Sequence, residues 1–227
     1  MLLCYSLSLF CQKNNVNHSI GGHFSLDYGY RTLVQKDASV DELTTVRNSF
    51  EQPAIGYSFG INYFLILSKE VKIEIGSHYS IKGYNSNQIS KYPTDNFFGA
   101  KAKYFYYYDY VDIPILLNYT FTHNKLKLFG STGLGTSLFL KAQSREVLFN
   151  NDESIMRDET TLRGKANYNK VILSGLINFG VDYQYKESII IRVSPGFSYS
   201  FNSFTNNENF NEFLYSARVN LGVIYGF

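Results

Sequence analysis

The sequence of residues 53–67 is Pro53-Ala-Ile-Gly-Tyr-Ser-Phe-Gly-Ile-Asn-Tyr-Phe-Leu-Ile-Leu67, in which large apolar side chains occupy every second position from Ile55. As far as residue 62, the positions between them hold small or polar residues, among them Ala54, Ser58 and Asn62. Successive side chains of a β-strand point to opposite faces. The stretch therefore predicts a strand with one apolar face and one small, polar face.

The same alternation recurs along the chain. The eight predicted strands cover residues 18–31, 53–67, 70–83, 104–121, 126–141, 169–185, 189–202 and 211–227. The parity is less clear in the tyrosine-rich run 104–110, and Pro114 fits a strand only at a bulge or where a ladder hydrogen bond is absent. With 20 Tyr, 19 Phe and 4 Pro in 227 residues, the composition also favours strands in a single domain.

The connections between these strands alternate in length. Residues 68–70, 122–125 and 186–188 are hairpin turns, whereas 32–52, 84–103 and 142–168 are long and polar, with a shorter Asn-rich connection at 203–210. Placing every short turn at one end and every long loop at the other is typical of barrels that cross a membrane. We therefore predict an all-β fold, a closed antiparallel up-and-down transmembrane β-barrel of about eight strands.

Alternation alone does not decide which face is wet, because a lipocalin-like barrel has its apolar face inside. Three features favour a lumen lined by the polar parity: its small Gly, Ser, Ala and Asn residues, its charges of both signs, and aromatic residues near strand ends. The absence of tryptophan further disfavours the lipocalin-like alternative. The charged and polar side chains predicted to face the lumen are Asp27, Arg31, Lys72, Glu74, His78, Lys82, Asp112, Lys127, Lys141, Asp182, Arg192 and Arg218.

The first residues are predicted to be a leader. Residues 1–11 are apolar, contain both cysteines, Cys4 and Cys11, and are too short to span a bilayer. They resemble the remainder of a secretory signal peptide, which leaves residues 12–227 as the barrel domain. A buried N-terminal strand is the alternative.

Two segments resemble a known family. Tyr110-Val-Asp-Ile-Pro-Ile-Leu-Leu-Asn-Tyr119 and Leu128-Phe-Gly-Ser-Thr-Gly-Leu-Gly135 are similar to consecutive strands of PorT-like outer-membrane β-barrel proteins. The ending Leu221-Gly-Val-Ile-Tyr-Gly-Phe227 is similar to the aromatic last strand that the barrel-assembly machinery recognises. The resemblance implies the outer membrane of a Gram-negative type bacterium. Many members of this family are described as porin-like, and one branch acts in secretion. The resemblance implies no set of functional residues.

No catalytic, cofactor-binding or metal-binding residue is predicted, because the sequence contains no P-loop, G-x-S-x-G, H-E-x-x-H or cysteine-based zinc spacing. We expect His78 to be structural and the protein not to be an enzyme. The charged connection 142–168 is more consistent with a solvated loop than with a calcium or lipopolysaccharide contact. The net charge of +2 disfavours nucleic acid as a partner.

Eight strands enclose a lumen that side chains fill, so a wide pore is disfavoured. The leading hypothesis is a structural or interaction barrel that presents loops or serves in an envelope or secretion assembly. A narrow porin and a soluble lipocalin-like barrel are the alternatives. Expected partners are outer-membrane lipid and lipopolysaccharide, the barrel-assembly machinery through the strand ending at Phe227, and other envelope proteins.

Overall fold

The structure is a computed structural model that describes residues 18–36, 41–90, 101–122, 124–150, 152–206 and 209–227. The predicted leader at residues 1–11 lies outside these residues. The strands, numbered in chain order, are β1 (His18–Gln35), β2 (Glu51–Ile66), β3 (Val71–Ser86), β4 (Ile89–Ser90), β5 (Lys101–Thr120), β6 (Leu126–Phe149), β7 (Ile155–Arg163), β8 (Val171–Lys186), β9 (Ile189–Ser200) and β10 (Phe210–Gly226). A helix, α1, covers Asp41–Phe50, and a 3-10 turn covers Lys165–Asn167. Neither is long and apolar enough to cross a membrane.

Eight of the strands form a closed ring. Their order is β5-β3-β2-β1-β10-β9-β8-β6, and a β5–β6 ladder joins the two ends of that order. All neighbours are antiparallel, and the first strand pairs with the last from Ser19↔Gly226 to Gln35↔Phe210. The two strands outside the ring, β4 and β7, extend β5 and β6 at one end. The predicted all-β, up-and-down barrel of eight strands is confirmed.

The ring has two different ends. Short turns join β2 to β3, β5 to β6 and β8 to β9, and the start of β1 and the end of β10 lie beside them. We call this the turn end, and the opposite end the loop end. At the loop end the predicted long connections are more ordered than expected, because α1 forms within 32–52 and β6 continues to Phe149 before pairing with β7. The β7 strand is exposed on both faces, so no apolar and polar alternation marks it as a strand.

The apolar parity points outward. Ile61, Leu117 and Val223 expose 60%, 51% and 57% of their surface on the outside of the ring. Ser58, Asn62 and Ser131, on the other parity, are buried inside it. Because the outer surface is a belt of exposed aliphatic and aromatic side chains, the soluble lipocalin-like alternative is wrong.

A β-bulge on β6 overturns the prediction for Lys141. Asp109 pairs with Lys141 but Tyr110 pairs with Phe139, so Leu140 is the extra residue. One extra residue reverses the parity of the strand beyond it. Lys141 consequently lies on the outer face, where its Nζ is 3.3 Å from Asp109 Oδ2.

Pro114 occupies a gap in a ladder. The β3–β5 register passes from Ile75↔Ile115 directly to His78↔Asp112, so the pairs between them are missing. On the other side Pro114 pairs with Gly135 of β6. The proline, which has no N–H to donate, thus lies where the ladder is interrupted.

Candidate functional site

A network of charged side chains crosses the lumen near the turn end. Arg192 on β9 donates from Nε and Nη2 to the two carboxylate oxygens of Asp182 on β8, at 2.7 and 2.9 Å. Its Nη1 also donates to Glu74 Oε2 on β3 at 2.9 Å. Phe129 packs against the guanidinium, 4.0 Å from the ring centroid. The bidentate geometry and the aromatic contact hold Arg192 in the middle of the barrel.

Amide side chains complete this network. Asn62 donates to Glu74 Oε1 at 2.7 Å, and Asn118 donates to Glu74 Oε2 at 3.1 Å. Both oxygens of the buried Glu74 carboxylate are therefore hydrogen-bonded, as a charge removed from water requires. The layer closes the lumen with side chains of five strands.

Two histidines stack directly above the layer. The rings of His23 on β1 and His78 on β3 lie parallel, with centroids 4.1 Å apart. His78 Nε2 is 2.5 Å from Asn62 Oδ1, so His78 reaches Glu74 through the amide of Asn62. Both histidines are thus held within the packing of the lumen.

Further ion pairs lie closer to the loop end. Lys82 Nζ is 2.9 Å from Asp112 Oδ1 and donates to Ser137 Oγ at 3.0 Å. Arg218 Nε is 3.2 Å from Asp27 Oδ1, across the β1–β10 ladder. The lumen is therefore filled by neutralised layers, and the space left between them amounts to cavities of about 60 and 30 Å³, each sized for water.

Apart from Lys141, the predicted lumen residues lie inside the ring, at different heights of the barrel. Glu74, Asp182 and Arg192 form the central layer, with Lys72 Nζ 3.9 Å from Asp182 at its edge. Lys127 lies near the turn end and donates to Gln184 Oε1 at 3.2 Å. His78, Asp112, Asp27 and Arg218 lie above the layer. Arg31 is separate from the others, at the loop end.

Aromatic side chains close the loop end. Tyr108 packs against Phe204, with ring centroids 5.0 Å apart, and against Tyr168 at 5.5 Å. Phe204 is fully buried although it belongs to a connection. The buried residues of this aromatic plug are Tyr84, Tyr108, Tyr110, Ala142, Tyr168, Ile172, Phe204 and Leu214.

Two arginines and two glutamates lie beside the plug, a cluster that the sequence analysis missed. Arg47 of α1 pairs with Glu51 and with Glu212, each at 3.0 Å. Arg31 contacts the same two carboxylates. Burial acts to lower the pKa of Arg47, but the hydrogen bond and charge of Glu212, together with Tyr84 and Glu51, raise that pKa above its usual range. The cluster fastens α1 to the rim of the barrel.

An open cleft of about 590 Å³ lies above the plug. Arg47, Glu51 and Glu212 form one side, and Arg163 at the end of β7 lies on the other. The complete lining is Arg47, Glu51, Tyr84, Tyr106, Tyr108, Arg163, Asn167, Tyr168, Thr205, Asn206, Asn209 and Glu212.

The charged hairpin of β6 and β7 pairs its charges internally. Arg145 Nε donates to Asp158 Oδ1 at 2.8 Å, and Arg157 pairs with Glu159. Within the described ranges, no three His, Cys, Asp or Glu side chains are grouped to hold a metal ion.

Comparison with known proteins identifies one family. The sequence profile described as "Outer membrane protein beta-barrel domain" matches residues 10–206, and no curated protein matches the sequence. Among solved structures, Neisserial surface protein A is 14% identical with a TM-score of 0.45, over 92% of this chain and 97% of that one. OprG from Pseudomonas aeruginosa is 11% identical with a TM-score of 0.45, over 93% and 96%. The N-terminal β-barrel domain of Pseudomonas aeruginosa OprF is 12% identical with a TM-score of 0.40, over 93% and 98%.

Proposed function

This chain belongs to the outer membrane protein β-barrel domain family, and from that premise we propose that it is a non-catalytic interaction barrel with a closed lumen. Its short turns face the periplasm, as in other barrels of this kind, and its loop end faces the cell exterior. The working surface is then the loop end, formed by α1, the β6–β7 hairpin and the β9–β10 connection.

The observation that carries this proposal is the double closure of the lumen. Arg192, Glu74 and Asp182 span the barrel near the turn end, and the plug around Tyr108 and Phe204 fills it at the loop end. The two cavities between them have room for only a few waters. These volumes do not accommodate a larger solute, which disfavours the narrow porin.

The lumen chemistry also favours a non-catalytic role. His23 and His78 stack on each other between the two closures. The nearby carboxylates of Glu74, Asp112 and Asp182 are engaged by arginine, lysine or amide donors. A substrate would have to displace these contacts to reach either imidazole.

The partners follow from the surfaces. The outer belt contacts outer-membrane lipid and lipopolysaccharide, the strand ending at Phe227 is the segment that the assembly machinery would recognise, and other envelope proteins would bind at the loop end. The resemblance of Tyr110–Tyr119 to PorT-like barrels favours a subunit of an envelope or secretion assembly.

Planar-bilayer recording tests the closed lumen. The purified full-length protein should give no stable unitary conductance steps, while a general diffusion porin measured in the same bilayers gives large ones. Reproducible steps from the wild-type protein would contradict the proposal and support the narrow porin.

Site-specific photo-cross-linking in cells tests the interaction role. A cross-linker at Leu162, which is 69% exposed on β7, should yield discrete envelope-protein adducts. The matched control is a cross-linker at exposed Glu187 in the β8–β9 turn. Adducts at Glu187 but none at Leu162 would place the working surface at the turn end instead.

A further inference from the structure

The cleft above the plug has a lining suited to a polar ligand. Its floor consists of tyrosines whose hydroxyls form hydrogen bonds: Tyr108 donates to the Tyr84 hydroxyl at 3.4 Å, and Arg47 Nη2 donates to the same oxygen at 3.3 Å. Its walls are amide, hydroxyl, guanidinium and carboxylate groups, and no aliphatic side chain lines it. A volume of about 590 Å³ falls within the usual range of small-molecule sites, roughly 300–1,000 Å³.

The charges around the cleft leave one cation uncompensated. Glu51 and Glu212 are both occupied by Arg31 and Arg47, so neither carboxylate presents a free charge to the cleft. Arg163, on the opposite wall, lies over the Tyr106 ring at 4.9 Å from its centroid. No carboxylate of the described residues lies within ion-pair distance of Arg163. Arg31 is buried and does not line the cleft, but it pairs with both glutamates, so the three arginines and two glutamates together have a net charge of +1.

Hydrogen-bonding groups beside Arg163 are also available. The backbone N–H of Asn206 donates to the carbonyl of Asn167 at 2.9 Å, which fixes the two residues side by side on the rim. Neither side-chain amide is hydrogen-bonded to another group of the described chain. Each amide offers two donors and an acceptor, a combination that matches the vicinal hydroxyls of a sugar.

We propose that this cleft binds a saccharide that carries one anionic group, a phosphate or a carboxylate. Arg163 binds the anion, since a guanidinium is suited to bidentate contacts with phosphate and carboxylate oxygens. Asn167, Asn206 and the tyrosine hydroxyls bind the sugar hydroxyls. The polar walls disfavour an acyl chain, and the absence of an apolar anchor pocket disfavours a peptide. This inference rests on the proposed role of the loop end as the working surface.

Isothermal titration calorimetry on the full-length protein in phospholipid nanodiscs tests the proposal. Glucose 1-phosphate is the probe, with glucose, inorganic phosphate and an acidic tetrapeptide as comparisons. We expect glucose 1-phosphate to bind more tightly than any of the three. Arg163→Gln should weaken its binding about tenfold or more, as for loss of a charge-assisted hydrogen bond. The matched control is Arg157→Gln, on the same strand but outside the cleft, which should bind as the wild type does.

Several results would overturn the inference. Equal affinity for inorganic phosphate would reduce the site to a simple anion site, and tighter binding of the peptide would make it a peptide site. Unchanged binding by Arg163→Gln, or equal loss in Arg157→Gln, would place the ligand elsewhere. Planar-bilayer recording is independent of these measurements. A protein that shows no conductance and no sugar binding would refute the saccharide site but leave the proposed closed barrel standing.

A second experiment distinguishes a saccharide of the lipopolysaccharide headgroup from a soluble or surface glycan. Nanodiscs that contain lipopolysaccharide are compared with nanodiscs that contain phospholipid alone. Loss of glucose 1-phosphate binding in the former supports a lipid headgroup as the ligand. Retained binding supports a soluble or surface glycan.

Discussion

Arg192 on β9 donates a 2.9 Å hydrogen bond to Glu74 on β3, the strand opposite it across the ring. Three strands separate β3 from β9 on each side of the ring, β2, β1 and β10 on one and β5, β6 and β8 on the other. A single side chain therefore joins the two halves of the barrel. It does so from a position flanked by Phe64 and Phe129.

Replacing Arg192 by methionine should destabilise the barrel by about 3–5 kcal/mol. The buried Glu74 loses its cation partner, and Asp182 keeps only Lys72, 3.9 Å away. Equilibrium unfolding by urea in detergent micelles measures the loss. Arg157→Gln, on the exposed hairpin, is the control and should change the unfolding free energy by less than about 0.5 kcal/mol. A loss below about 1 kcal/mol for Arg192→Met would contradict the network's role in stability.

Leu134→Arg should destabilise the protein in phospholipid bilayers by about 2–4 kcal/mol, the range for arginine on the lipid face near the bilayer midplane. Leu134 exposes 63% of its surface on the outer face of β6, midway along the part of β6 inside the ring. Leu134→Ala is the companion variant and should lose less. If both variants unfold at the same denaturant concentration, this face of β6 is not in hydrocarbon.

Gly76→Ala should destabilise the barrel by about 1–3 kcal/mol through overpacking. A Cβ at Gly76 would lie 2.4 Å from Asn62 Oδ1 and 2.7 Å from His78 Nε2, inside the lumen network. A Cβ at Gly22 would meet nothing within 4 Å, so Gly22→Ala serves as the control. Comparable unfolding midpoints for the two variants would show that the lumen is looser than the structure indicates.

Acid should loosen the β6–β7 hairpin before the barrel opens. The hydrogen bond from Arg145 lowers the pKa of Asp158 below its ordinary value of 3.8. A carboxyl whose pKa is lowered on folding stabilises the fold above its unfolded pKa, and this contribution is lost as the pH falls through the folded pKa. Amide hydrogen exchange should therefore show hairpin protection that is constant above about pH 5 and declines below pH 3.8.

Asp158→Asn tests this assignment. The variant should show lower amide protection in the hairpin at neutral pH. Its protection should not decline further at the pH where Asp158 titrates in the wild type. Because both side chains are exposed, added salt should shrink the difference between variant and wild type. An unaltered acid profile in the variant would assign the transition to other carboxyl groups.

The sequence predicts the ring of strands well because the two faces of each strand meet different solvents. Residues 53–67 alternate because Ile61 faces hydrocarbon while Asn62 faces the lumen. Every membrane-crossing strand has the same contrast between its two faces. Where both faces of a strand meet water, as in β7, the contrast disappears. Strand ends and extensions at the loop end consequently could not be placed from the sequence.

Side-chain partners were less predictable than faces. The sequence indicates that Glu74 and Arg192 share an interior, but their pairing depends on the order of the strands around the ring. Arg47 lies outside the alternating segments, and Glu212 is 165 positions away in the last of them, so no periodicity connects the two. Lys141 was misplaced because a one-residue bulge at Leu140 carries no reliable signature in the sequence. The tyrosines of 104–110 alternate ambiguously because a tyrosine suits both the buried plug and the outer surface.

The pairing of β1 with β10 has a consequence for biogenesis. The seam that completes the cylinder joins His18–Gln35 to Phe210–Gly226, so the first strand has to wait for the last one to leave the ribosome. Until that moment the sheet has two edges with unpaired backbone groups and an exposed apolar outer face, so it is not yet a closed barrel that is stable in the membrane. Barrel closure is thus a late event, and until then the unpaired edges favour a partner that shields them.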